Sequence, residues 1–224
     1  MFDPRPYDFS TLDPDFVALV RELQVHQQCG SPEPELIFGL SHATRGTGEI
    51  VEVGTYVGTS TICLAKAQML KGDGRAITAV DIKKQPSLDA TLERAGVTDF
   101  VQLVTSRSND LAASWDRPIE LLWIDGDHSY EGCLMDILAW ERHVQPGGIV
   151  AFHDYANGTG VAQAIRDSLV RMPWKYRVAL DRGISSIFVM EKIAGNDEPA
   201  WVCKCDPMAA YPELPGLLEA KPFG

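Results

Sequence analysis

What the chain lacks narrows it first. No apolar run approaches the roughly 20 residues needed to cross a bilayer, and the opening Met-Phe-Asp-Pro-Arg-Pro has neither the basic nor the apolar region of a secretory signal. The expectation is a cytoplasmic protein without a membrane partner. Basic side chains are in deficit: 20 Lys and Arg stand against 31 Asp and Glu, a formal charge of −11 with a pI near 4.8. Tight binding to phosphate backbones draws on clustered cations that displace counterions, so nucleic acid is not expected as a partner. Cysteine is sparse and odd in number, five in all. Cys29, Cys63 and Cys133 fall in or beside helical patterns, where a free thiol behaves as a small apolar group. Cys203-Lys-Cys205 is a pair without further Cys or His nearby, too little for structural zinc. Asn157-Gly-Thr159 matches a glycosylation acceptor, but in a cytoplasmic chain it reads as a polar loop.

What is present fits one large globular unit. The 224 residues are 45% hydrophobic and 23% charged, ordinary values for a chain that buries a full core. Residues 15–28 and 33–44 read as helices entered through Pro/Asp and Pro/Glu pairs, an N-terminal cap over residues 1–46. From residue 47 to 192 short apolar runs alternate with longer amphipathic segments, the pattern of repeated βα units on a parallel sheet. Strands are expected at 49–53, 76–80, 101–104, 119–124 and 148–152, with helices at 59–69, 87–95, 130–143 and 161–170. Runs at 176–180 and 185–191 are separated by only Asp181-Arg-Gly-Ile184, too short for a parallel crossover, so they should pair antiparallel. The fold class is thus α/β, a doubly wound, mostly parallel seven-stranded sheet with a terminal antiparallel hairpin. Residues 193–224 hold Pro199, Pro207, Pro212, Pro215 and Pro222, and an extended tail is expected there.

The chemistry gathers at strand ends. Ile50-Val-Glu-Val53 runs into Gly54, and Gly58 follows before Thr59-Ser60-Thr61 open a helix. Glycines allow a sharp turn and close approach to a ligand, and the hydroxyls can cap the helix. A carboxylate at Glu52 would repel a pyrophosphate placed on that helix N-terminus. The third glycine of the Gly-x-Gly-x-x-Gly dinucleotide pattern is also missing. A nucleotide-like cofactor with an amino group and no phosphate fits the turn better, while a purely structural turn would need the same glycines. Asp81 ends the second strand 27 residues after Gly54 (81 − 54), where an acid can accept both hydroxyls of a ribose. Past the third strand, Ser106-Arg-Ser108-Asn offers small hydroxyls where an adenine edge would lie, although such residues are common in any loop.

Leu121-Leu-Trp-Ile124 ends abruptly in Asp125-Gly-Asp-His128-Ser-Tyr130, and Ile149-Val-Ala-Phe152 ends in His153-Asp154-Tyr155. Polar clusters at the carboxyl ends of parallel strands are where open α/β folds keep their chemistry. If the two strands are neighbours, Asp125, His153 and Asp154 converge on a set able to hold a divalent cation, with His128 close enough to act as a general base. The bland alternative is that Asp125 and Asp127 cap the next helix while His153 and Asp154 satisfy loop hydrogen bonds.

Four segments together, Val51-Glu-Val-Gly-Thr-Tyr-Val-Gly58, Ala79-Val-Asp81, Trp123-Ile-Asp-Gly-Asp-His-Ser-Tyr-Glu131 and Gln145-Pro-Gly-Gly-Ile-Val-Ala-Phe-His-Asp-Tyr155, resemble the class I S-adenosylmethionine-dependent methyltransferases. The likeness is narrower to the small-molecule O-methyltransferases that include macrocin and caffeoyl-CoA O-methyltransferases and the cephalosporin hydroxylase-like proteins, and it covers about residues 49–191. By position, the resemblance implies that Glu52 and Gly54 meet the methionine part of S-adenosylmethionine, with Tyr56, Gly58 and Ser60 also in the cofactor site. It implies Asp81 for the ribose, Ser106 and Ser108 for the adenine, and Asp125 beside the sulfonium. It implies Mg2+ or a similar ion at Asp125, His153 and Asp154, with His in the middle position where metal-dependent relatives carry an acid. The expected activity is methyl transfer to a small hydroxylated acceptor, with Asp125 and His128 as catalytic residues. Two alternatives stay open: another reaction on the same fold, hydroxylase-like or nicotinamide-dependent, and a non-catalytic S-adenosylmethionine-binding protein. The acidic surface and apolar cap leave room for a homodimer.

Overall fold

A computed structural model describes residues 4–27, 32–72, 74–156, 160–171, 175–180 and 186–194. The expected Pro-rich tail, Cys29, Cys203, Cys205, the Asn157 acceptor and the 181–184 turn lie outside the described residues. Two helices come first, α1 (Pro14–Gln27) and α2 (Glu33–His42), followed by β1 (Glu49–Val53), α3 (Thr59–Lys71), β2 (Ile77–Asp81), α4 (Leu88–Ala95) and β3 (Val101–Thr105). Then come α5 (Ser108–Ala113), β4 (Ile119–Ile124), α6 (Tyr130–Trp140), β5 (Val144–Phe152), α7 (Val161–Arg171), β6 (Tyr176–Leu180) and β7 (Phe188–Lys192). The strands form one sheet in the order β3-β2-β1-β4-β5-β7-β6. β1 through β5 run parallel, and β7 is antiparallel to both β5 and β6. The doubly wound sheet and its closing hairpin are therefore as the sequence pattern implies.

Alternation along the strands sorts the core into two layers. Ile50, Ile77, Leu121, Trp123 and Ile149 pack beneath α1 to α4, whereas Val51, Val53, Leu122, Ile124 and Val150 pack against α5, α6 and α7. Each such Leu, Ile or Val taken fully from water contributes roughly 1.5–3 kcal/mol. The N-terminal helices belong to the first layer, with Phe16, Val20, Leu36 and Phe38 buried in it.

Several boundaries differ from the sequence expectation. Ser108 and Asn109, expected as loop, open α5, because Leu111, Ala112 and Trp115 pack on the second layer. The helix expected over 130–143 ends at Trp140 and tightens into a 3-10 turn over Glu141–His143. β5 begins four residues early, at Val144, which pairs with Ile119 before a register shift restores Leu121 opposite Ile149. No helix among the described residues is long and apolar enough to cross a membrane.

The switch in strand order falls between β1 and β4, so their carboxyl ends open a crevice with the chain leaving to opposite faces. α2 spans the sheet behind it. Its first residue, Glu33, reaches the carboxyl-end side through Ser186, and its C-terminal neighbour Thr44 bonds Arg75 and Gln68 at the opposite edge.

Candidate active site

The turn after β1 is built by two glycines and one acid. Gly54 has φ +89°, and a Cβ there would lie 2.2 Å from the backbone oxygen of Asp125. Only glycine lets the ends of β1 and β4 approach so closely. Gly58, φ +97°, starts α3, and a Cβ on it would meet Leu88 at 2.7 Å. Between them Tyr56 takes φ +43° and stays 53% exposed. Asp81 Oδ2 accepts the N–H groups of Thr55 (2.9 Å) and Tyr56 (3.2 Å) and the Thr55 hydroxyl (3.1 Å). Its Oδ1 accepts Lys83 N–H at 3.0 Å. Burial pushes the Asp81 carboxyl up, but the donors on Thr55, Lys83 and Tyr56 outweigh it and hold it below the usual value. One donor leaves Oδ1 with spare acceptor capacity, which is what a ribose hydroxyl requires.

Glu52 lies beneath that turn and is fully buried. Burial drives its carboxyl up to about 8. The hydroxyls of Ser60 and Thr61 pull it back, and the charges of Asp125 and Asp81 add to the rise. Neither carboxylate oxygen makes a hydrogen bond of good geometry. A buried acid in this condition is costly unless a donor or cation arrives to meet it.

The second half of the site comes from β4 and β5. Asp125 N–H bonds the Val53 carbonyl (2.8 Å) and His153 N–H the Ile124 carbonyl (3.1 Å), so the parallel ladder carries both residues to one rim. His128 stands between two acids, with Nε2 3.2 Å from Asp125 Oδ1 and Nδ1 2.7 Å from Asp154 Oδ2. Those two bonds raise its pKa to about 10 against the opposing effect of burial. Asp154 adopts φ +57°, a left-handed conformation that Asp enters more readily than most residues other than glycine. The ligand atoms of Asp125, His128 and Asp154 all lie within 4.8 Å of one another. His153, expected within that group, borders it: Nδ1 is 3.3 Å from both Asp125 Oδ1 and Asp154 Oδ1, and Nε2 is 3.3 Å from Glu33 Oε2. Two acids with imidazole nitrogen suit a borderline cation such as Mn2+ or Zn2+ and also accept Mg2+.

Helix capping does not account for this cluster. The N-cap of α6 is Ser129, whose hydroxyl accepts Gly132 N–H at 3.1 Å, while Asp127 accepts Ser129 N–H at 2.8 Å. Asp125 takes no part in it. The loop is braced from outside by Gly160 N–H on the His128 carbonyl (3.0 Å) and by the Tyr130 hydroxyl on Asp167 (2.5 Å).

The two serines lie in different settings. Ser106 N–H bonds the Asp81 carbonyl (3.0 Å), which places that residue beside Asp81. Ser108 instead starts α5, and its hydroxyl accepts Trp140 Nε1–H at 2.7 Å. It faces α6 and not an open loop, because the turn that the sequence suggested is helical. Glu33 had no sequence signal as a site residue and looked only like a first-turn helix residue. Ile82, next to Asp81, is a large apolar side chain left 74% exposed.

Fold and strand-end chemistry together define the class I methyltransferase architecture. Residues 51–155 match the family model described as a methyltransferase domain, and that segment holds every strand-end residue named above. Residues 51–155 thus carry a likeness to a methyltransferase domain, on the fold that such enzymes share. Among solved structures it is similar to the O-methyltransferase TomG of Streptomyces achromogenes, involved in tomaymycin synthesis and seen with S-adenosylmethionine. That match has a TM-score of 0.63 at 19% identity and covers 83% of this chain and 94% of that one. The O-methyltransferase of Bacillus cereus, in complex with S-adenosylhomocysteine, aligns with a TM-score of 0.62 at 17% identity over 82% and 93% of the two chains. The methyltransferase PaMTH1 of Podospora anserina, also bound to S-adenosylhomocysteine, gives 0.65 at 14% identity over 82% and 89%.

Proposed function

We propose that this protein transfers the methyl group of S-adenosylmethionine to an oxygen of a small hydroxylated molecule, with a divalent cation held at the ends of β4 and β5. The observation that carries the reading is Glu52, a fully buried carboxyl group without a hydrogen bond of good geometry, set under a glycine turn between Asp81 and Asp125. A cofactor whose amino group carries positive charge would meet that acid, and a pyrophosphate would not. Glu52 and the Gly54 turn hold the amino acid end, the free capacity of Asp81 Oδ1 meets the ribose, and exposed Ile82 and Tyr56 offer apolar surface to the base.

Bound there, S-adenosylmethionine supplies a methyl group on a cationic sulfur. A cation at Asp125 and Asp154 would lower the pKa of an acceptor hydroxyl and neutralise its charge. The remaining work belongs to the chain. Asp125 and Asp154 fix His128 by both ring nitrogens, so the imidazole cannot rotate away. With its pKa near 10 in the free protein, His128 is protonated at neutral pH and cannot take a proton. Positive charge placed on its two acids would oppose that rise and let His128 act as a base. The strand-end geometry contributes mainly by alignment, the largest resource for an in-line displacement.

Calorimetry tests the reading directly. S-adenosylhomocysteine should bind and NAD should not, and Asp81→Ala should weaken binding roughly tenfold or more by removing charge-assisted hydrogen bonds. Binding of NAD without S-adenosylhomocysteine would overturn it.

A further inference from the structure

We propose that Glu33, at the head of the N-terminal helix α2, is a positioning residue that fixes the tautomer of His153 and thereby makes His153 a ligand of the strand-end cation. The inference rests on the cation reading of the site given above.

The two oxygens of Glu33 are divided between different tasks. Oε1 accepts both the backbone N–H (2.8 Å) and the hydroxyl (2.7 Å) of Ser186, on the stretch leading into β7. Oε2 faces His153 Nε2 at 3.3 Å. The acid is almost wholly buried, with 3% of its side chain exposed, and His153 keeps only 13%. The opposite edge of the imidazole points Nδ1 between Asp125 Oδ1 and Asp154 Oδ1, at 3.3 Å from each. The His153 main chain is already committed, its N–H to Ile124, and the indole of Trp123 lies beside its ring with centroids 6.0 Å apart. The ring is thus clamped edge to edge between the cap and the site.

A neutral imidazole carries one N–H and one lone pair. Carboxylate oxygens can only accept, and they face both edges of the ring. With a cation on Asp125 and Asp154, Glu33 Oε2 is the acceptor left for an N–H, which puts the proton on Nε2 and the lone pair on Nδ1, directed at the gap between the two strand-end acids. A carboxylate behind a histidine is a common way to orient a metal ligand and strengthen its basicity. Glu33 also enters from a helix 120 residues away in sequence, so the ligand set is complete only when α2 is docked.

Glu33→Gln separates this role from a structural one. The amide oxygen can still accept both Ser186 donors, which leaves the amide N–H groups facing His153 Nε2 and favours the lone pair there. The tautomer then reverses and puts N–H toward the cation. Calorimetric titration with Mn2+ should show 10- to 100-fold weaker binding in Glu33→Gln than in the wild type, with a thermal transition close to the wild-type one and S-adenosylhomocysteine affinity retained. Equal Mn2+ affinity in the two proteins overturns the proposal, and so does a wild type that binds no Mn2+. S-adenosylhomocysteine binding in the same samples reports separately on the methyl-donor reading. Should Glu33→Gln fail to fold, 15N NMR of the wild type with Mg2+ decides: His153 protonated at Nε2 supports the proposal, and protonation at Nδ1 overturns it.

Discussion

Gly54 and Glu52, two residues apart, answer to opposite demands at the same turn. Gly54 must be small because a methyl group would enter the backbone of Asp125 and because its φ is positive. Gly54→Ala should therefore cost about 2 kcal/mol or more, read as a lower denaturation midpoint in urea. Glu52 is instead held at a cost that ligand binding can recover. Its pKa is raised from the ordinary carboxyl value to about 8 in the folded chain, so between roughly pH 4.5 and 8 the folded state binds more protons than the unfolded one, and stability falls as pH rises. The full contribution is present below the unfolded value and is lost as pH rises through the folded one. Glu52→Gln removes this dependence: thermal melts at pH 5 and pH 8 should show the variant gaining on the wild type at the higher pH. An unchanged difference at both pH values would mean that Glu52 ionises normally in the fold.

At the scale of elements, the feature that positions the site from behind is the anchoring of α2 and the β1 entry at the edge of the sheet away from the crevice. Glu120, buried within β4, accepts the N–H groups of Gly46 and Thr47, each at 3.0 Å, and pairs with Arg75 at 3.0 Å. Arg75 also bonds Gly48, Gln68 and Thr44, and Gln68 in turn holds Ser41 at the end of α2. Burial raises the Glu120 carboxyl, but Arg45, Arg75 and Thr47 outweigh that and keep it ionised. Removing one member of a buried pair leaves the other uncompensated, so Arg75→Ala should lower stability by about 3 kcal/mol. Because the network lies across the sheet from the crevice, S-adenosylhomocysteine affinity should persist when measured under conditions where the variant is folded. The sequence reading had no view of this network: Glu120 sat in an apolar strand without a visible partner, and Arg75 lies 45 residues away. The βα rhythm, by contrast, was plain, since period and turn residues are local properties. α5 escaped because a six-residue helix carries too little periodicity to stand out from a polar loop.

For the whole molecule, acidic charge dominates, with a net −11, and at the crevice the acids Asp81, Asp125, Asp154 and buried Glu52 converge. Such a site is poised for cations, whether a sulfonium cofactor or a metal ion, and repels phosphate-rich ligands. Exhaustive chelation of the purified protein should abolish methyl transfer and added Mg2+ or Mn2+ should restore it. Turnover that survives chelation would leave Asp125 and Asp154 with an alignment role only.

The sequence by itself determined the layered α/β fold, the glycine turn and the acids at each strand end, because in a parallel sheet the carboxyl ends share one rim and a residue's place on that rim follows from its place in the strand. That is why Gly54, Asp81, Asp125 and His153 are legible as neighbours in the sequence. The tertiary structure alone decided how their charges settle. It places His128 between two acids, which makes it a cation in the free protein, and it buries Glu52 without a hydrogen bond. It also swings Glu33 from the far end of the chain against His153. Those outcomes depend on burial and on through-space distance between segments far apart in sequence, and neither quantity is encoded in local spacing.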